Sequence, residues 1–253
     1  MTPDNFFFTE NDLAAYAVKH YNFTTHEGFN AGIWKNDNAT DNQAATDYDK
    51  KWIPGQWKVP EAYDNPASND PWYFSAIREA NYFLETVVPR FEKGEIEGSE
   101  TNIKHYIGEM YFLRAKNYLS KLETFSDFPI IKNTLPDESA SLIQASKREP
   151  RHKVARFILE DLDLAIGLLT NTISGGKNRI TQNAALLLKS RAALYEASWL
   201  TYHRGTALVP GGSGWPGKAE DIAGFNIDTE IAFFLKEAKA AAKEVIGLSL
   251  IHI

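Results

Sequence analysis

Four runs of apolar residues recur at the i, i+3, i+4 spacing of an amphipathic helix. They fall into two pairs whose members start 30 residues apart (72 and 102) and 28 residues apart (153 and 181). A helix of this kind cannot bury its apolar face alone, so paired runs of similar length predict helical hairpins stacked as structural repeats. The first pair spans 72–124. Asp70 and Pro71 read as N-cap and first helical position, Phe74, Ile77, Asn81, Leu84 and Val88 form one stripe up to Pro89, and Ile103, Ile107, Met110, Leu113 and Leu122 form the next. A polar link over 136–150 leads to the second pair, 151–203. It carries Val154, Phe157, Ile158, Leu162, Ala165, Leu168 and Leu169, then Gly175 and Gly176, then Thr181 as cap for Ala185, Leu188, Ala192, Tyr195 and Trp199.

Three further segments complete the chain. Thr9, with Asp12 in the capping-box position, opens a first helix over 10–22. From 23 to 71 the helical period vanishes and Asn, Asp, Gly and Pro surround isolated Trp and Tyr residues. An irregular stretch of that length is usually a functional surface. A last helix over 228–247 carries Ile231, Leu235, Ala238, Ala242 and Val245 and has no hairpin partner, which implies further sequence beyond it. Leu248–Ile253 resembles translated adapter read-through, a non-native tail set aside from the fold. Residues 1–247 read as one helical domain, incomplete at its C-terminal end.

Composition narrows the chemistry. The 253 residues include no cysteine, which removes disulfides, thiolate nucleophiles, Cys-ligated metals and lipid attachment through Cys on this chain. No apolar run approaches the ~20 residues of a membrane span. Residues 1–76 hold eleven acids against five lysines, and the remaining 177 balance at 22 against 22, so the net charge of −6 sits in the first third. An acidic surface works against nucleic acid, which needs a basic stripe to displace counterions. The six histidines show no H-x-x-x-H pair, so no metal is expected. The G-x-G-x-x-G match over Gly212–Gly217 follows no strand and contains Pro216, so no cofactor is expected. Glu160, Asp161 and Asp163 point in different directions round one helix, with Glu160 placed to pair with Arg156. No catalytic residue emerges.

The first 76 residues also hold 15 of the 32 aromatics. Trp34, Trp52, Trp57 and Tyr63 lie among Asn, Asp and Gln side chains such as Asn65. Two readings are open. The rings can plug an irregular loop onto the helices, or their flat faces beside amides and carboxylates can hold a sugar by its C–H face and hydroxyls.

The helix pairs carry a resemblance. Trp72, Ile77, Ala80-Asn81 and Phe83-Leu84-Glu85, then Gly108-Glu109 with Phe112-Leu113-Arg114-Ala115 and Tyr118, resemble SusD/RagB-type nutrient-binding lipoproteins. So do the exit Phe125-Ser126-Asp127-Phe128-Pro129, where Ser126 replaces the usual Gly, Asp161-Leu162-Asp163 with Ala165-Ile166, and Arg179-Ile180-Thr181 with Arg191-Ala192 and Tyr195. The opening Phe6–Leu13 fits as well. The resemblance implies an all-α, right-handed scaffold of tetratricopeptide-like hairpins with long irregular surface loops. It implies a surface-exposed outer-membrane lipoprotein about twice this long, which captures oligosaccharide or polysaccharide for a SusC-like TonB-dependent transporter without catalysis. The alternative is a helical-repeat scaffold that binds only protein. An all-α glycoside hydrolase has no basis in the sequence. Ligand contacts are expected from Trp52, Trp57, Tyr63, Trp34 and Asn65. The motif residues Asn81, Gly108, Arg114, Asp161 and Arg179 are expected to be structural: Asn81 hydrogen-bonded, Gly108 closely packed, and Arg114 and Asp161 paired between helices.

Overall fold

The computed structural model describes residues 6–21, 23, 53, 72–173 and 178–247. Among them the fold is all-α, and the only β-type pairing is two isolated bridges, Thr9 with Glu97 and Phe128 with Glu149. The helices are α1 (Glu10–Lys19), α2 (Ser75–Glu92), α3 (Glu100–Phe125), α4 (Ser139–Ala145), α5 (Arg151–Leu168), α6 (Gln182–Tyr202) and α7 (Ile227–Gly247), with a 3₁₀ turn at Ala219–Ile222. Packing follows chain order: α2 on α3, α3 on α5, α5 on α6 and α6 on α7, with α1 leaning on α3. This is the arrangement that paired amphipathic runs dictate, since each long helix buries its apolar face on the next one in the chain.

Local signals account for the element ends. Thr9 accepts from the Asp12 backbone N–H while the Asp12 carboxylate accepts from the Thr9 N–H, a complete capping box, and the Thr181 hydroxyl accepts from the Ala184 N–H. One core runs through the stack, from Phe7 and Leu13 past Phe83, Met110, Tyr118 and Phe128 to Ile158, Leu162 and Phe234.

Four expectations are corrected. The first helix stops at Lys19, with His20 as its cap, rather than at 22. α2 starts three residues later than expected, because Trp72 is occupied in a ring stack with Phe125 and Phe128. It also passes Pro89 and continues to Glu92: Pro89 forfeits one N–H, but its carbonyl still accepts from Lys93, and Arg90 donates to the Phe6 carbonyl at 2.6 Å. The polar link contains α4, whose residues are too short a run and too exposed to show a period. The last helix is not unpartnered. It makes the largest helix–helix contact among the described residues, against α6, with Phe234, Ala238, Ala241 and Val245 buried and Leu235 47% exposed, so its buried stripe is rotated from the expected one. Gly175, Gly176, Asp70, Pro71 and the tail from 248 lie outside the described residues.

Gly108 sits where α3 meets the end of α5. A Cβ there would lie 3.0 Å from Leu169 Cγ and 3.2 Å from the Leu169 backbone nitrogen, which cannot withdraw as a side-chain tip can. Helix propensity alone favours Gly108→Ala by about 1 kcal/mol. The contact reverses the sign, and thermal denaturation should show the variant less stable than the wild type.

His152 is buried against Phe225, ring centroids 4.5 Å apart, with Nδ1 unpartnered. Burial lowers its pKa from 6.5 to about 4, against the opposing pull of Glu230. The unfolded chain therefore takes up this proton first, so stability is complete above pH 6.5 and falls as the pH drops toward 4, by about 2–3 kcal/mol. Denaturant melts at pH 7 and 4.5 should show a smaller acid loss in His152→Phe than in the wild type.

Candidate functional site

The aromatic residues expected to hold ligand, Trp34, Trp52, Trp57 and Tyr63, and Asn65 with them, lie outside the described residues. The motif residues lie within them, and three meet at one place. Arg114 of α3 donates from Nε and Nη2 to the two carboxylate oxygens of Asp161 on α5, both at 2.7 Å. Its Nη1 donates to the Asn81 side-chain oxygen on α2 at 2.9 Å and to the Lys132 carbonyl at 3.3 Å. Asn81 in turn donates to the carbonyls of Ile131 (2.8 Å) and Asn133 (3.2 Å). Tyr118 accepts from the Ile131 N–H, and Glu85 accepts from both the backbone and the hydroxyl of Thr134. These side chains tie down the half-buried to exposed segment 131–134 through its backbone groups.

The other two motif residues brace the opposite end of α3. Arg179 forms a two-pronged ion pair with buried Glu109, the chain neighbour of Gly108, and Tyr21 donates to the same carboxylate at 2.6 Å. The α1 tail, α3 and the approach to α6 thus share one acid. Glu160, expected to pair with Arg156, instead faces Lys132 at the surface, because Arg156 is held bidentately by Glu230 of α7 at 2.9 Å. Asp163 faces Lys189.

Segment 131–134 belongs to a loop closed at its base by the Phe128–Glu149 bridge, with both N–H···O distances 3.1 Å. This loop, with α4 on it, folds over the N-terminal end of α2 and leaves a pocket of about 440 Å³. That volume is typical of a small-molecule site. Trp72, Phe74, Ile77, Pro129, Ile131, Leu135 and Leu142 form apolar walls, while Arg78, Asn81, Asn133, Ser146 and Arg148 supply the polar groups. Trp72 and Phe74 are anchored on Phe128, with ring centroids 5.9 and 5.0 Å away. The Arg148 guanidinium lies 4.7 Å from the Trp72 ring centroid. Arg78, Asn133 and Arg148 escaped the sequence analysis: one is on the solvent side of α2, the others in the link, and neither place carries periodicity.

The base of the loop is held from behind. Asp127 accepts from the Arg151 N–H and from the Trp215 indole, both at 2.8 Å, and the fully buried Arg151 donates bidentately to the fully buried Glu196. Arg151 also reaches Ser126 Oγ at 3.0 Å.

A family model described as "Starch-binding associating with outer membrane", SusD-like, matches residues 2–194. The chain belongs to this SusD-like family. Among solved structures it is similar to a SusD-like protein from Bacteroides fragilis NCTC 9343, with 25% identity and a TM-score of 0.58 over 78% of this chain and 37% of that one. Two others, at lower identity, share the fold: a SusD-like carbohydrate binding protein from the same organism (18%, TM-score 0.56, 76% and 38% covered) and one from Bacteroides vulgatus ATCC 8482 (20%, 0.50, 78% and 44%). This SusD-like chain spans less than half the length of each. No curated protein matches it. No described helix is long and apolar enough to cross a membrane.

Ser126, where the resemblance leads us to expect Gly, adopts φ +67° and ψ −96°. Such a conformation strains a residue with a Cβ by about 1–3 kcal/mol, and the Arg151 hydrogen bond holds it in place. Ser126→Ala keeps the strain and loses the bond, whereas Ser126→Gly loses the bond and the strain together. Melting temperatures should therefore rank Gly above Ala at this position.

Proposed function

We propose that this SusD-like chain binds oligosaccharide or polysaccharide without altering it, as part of a surface-exposed outer-membrane lipoprotein, and passes the sugar to a SusC-like TonB-dependent transporter. The family match over residues 2–194 carries the reading. The pocket agrees with it physically. Trp72 and Phe74 give it flat apolar faces, its polar groups are amide, guanidinium and hydroxyl donors, and among the described residues no carboxylate lines it.

In this reading Trp34, Trp52, Trp57, Tyr63 and Asn65 extend the binding face. They precede Trp72 in the chain and combine stacking faces with a hydrogen-bonding amide. The helix pairs 72–124 and 151–203 act as repeat units of one domain that support this face.

Affinity gels and a glycan array test the proposal, with wild type beside Trp52→Ala and Trp57→Ala and folding checked by circular dichroism. A polysaccharide should retard the wild type, and a folded variant should lose at least about tenfold in affinity, ~1.4 kcal/mol. A wild type that binds no glycan but still captures its transporter would instead make the chain a protein-binding scaffold.

A further inference from the structure

The pocket beside α2 has an unusual charge balance for a chain with a net charge of −6. Two guanidiniums line it, and among the described residues no carboxylate does. The Arg78 guanidinium has no hydrogen bond or ion pair among the described residues, and its backbone N–H donates only to Phe74 within the helix. Arg148 has none either, and is positioned by the Trp72 ring at 4.7 Å. A cation over an aromatic face is held in place while keeping its full charge and its donors. Asp127, the carboxylate that senses Arg148, already accepts from the Arg151 N–H and the Trp215 indole.

A neutral sugar entering this pocket would strip water from both guanidiniums and return only weak hydrogen bonds. An oxyanion returns charge-assisted, fork-shaped bonds, which are roughly twice as strong as neutral ones. Bare oxyanions, in turn, would make no use of the apolar walls. The ligand that satisfies both is a pyranose bearing an acidic group, its C–H face against the walls and its oxyanion at the mouth.

We propose that the pocket formed by α2 and the 129–148 loop is a subsite for an acidic sugar, a uronate or a sulfate ester, read by Arg78 and Arg148. The proposal rests on the carbohydrate-binding reading above and names the sugar class this site prefers. Because the chain as a whole is acidic, the selectivity should appear with short oligosaccharides, where the two local cations dominate the long-range repulsion.

Isothermal titration with matched probes tests it: trigalacturonate against its methyl ester, and a sulfated galactan trisaccharide against the desulfated one, with the neutral polysaccharide panel run alongside. At least one acidic probe should bind tenfold or more tightly than its neutral counterpart, and whichever does so identifies the oxyanion. Arg78→Gln/Arg148→Gln should abolish that ratio with the melting temperature kept, and Arg78→Lys/Arg148→Lys should restore part of it by returning the charge. Equal binding of acidic and neutral partners, or a ratio that survives the Gln double variant, would overturn the subsite while leaving carbohydrate binding intact. If neither these probes nor the neutral panel bind, both readings fall.

Discussion

The structure turns on the four-donor engagement of Arg114. Arg114, 6% exposed, would be expensive in the core unless its charge and most of its donors were met. Asp161 meets the charge, and Asn81 and the Lys132 carbonyl take the remaining direction. The network joins α2, α3 and α5, three successive members of the stack, at one point. It therefore does more than pair two helices. It fixes their relative positions and helps set the path of the segment that leaves α3, whose carbonyls at 131–133 accept from Asn81 and Arg114.

The pocket follows from this constraint. Its inner wall is the segment that Asn81, Arg114, Tyr118 and Glu85 hold, and its outer wall is the loop closed by the Phe128–Glu149 bridge. A second buried pair, Arg151 with Glu196, anchors the base of that loop through Asp127 and Ser126. Motif residues thus build the cavity in which a ligand could be held, and one of them, Asn81, also lines it. Their spacing is a property of the helices, and the shape of the cavity is its consequence.

This explains which parts of the molecule were legible in the amino-acid sequence. Helical periodicity exposed the stack because burial on one face leaves a repeating mark, and Thr9 and Thr181 mark their helix starts by direct hydrogen bonds to the first turn. Asn81 stood out as a polar residue on an apolar stripe, and its partners could be anticipated in kind but not by name: Ile131 and Asn133 lie 50 and 52 residues away. The α7 stripe was misjudged because several registers of Ile, Phe, Leu and Ala compete on that helix, and only contact with α6 selects among them. Arg156 illustrates the same limit. Its i+4 neighbour Glu160 is a local candidate, but Glu230 offers a bidentate, less exposed site from another helix and takes it. Arg78 and Arg148 gave no local sign at all, because a binding group on a loop or a solvent face has no period to betray it.

The contrast among the arginines is the remaining argument for function. Arg114, Arg151, Arg156 and Arg179 each grip a carboxylate with two nitrogens, and each joins elements distant in the chain. That pattern is what architecture requires of a buried or half-buried guanidinium. Arg78 and Arg148 depart from it together: both face the same cavity, and neither guanidinium pairs with an acid among the described residues. A surface arginine with water for company costs nothing and means little alone. Two of them on the lining of one apolar-walled pocket, one aligned by a tryptophan that is itself clamped against Phe125, place donors where water can be displaced and an oxyanion can be met.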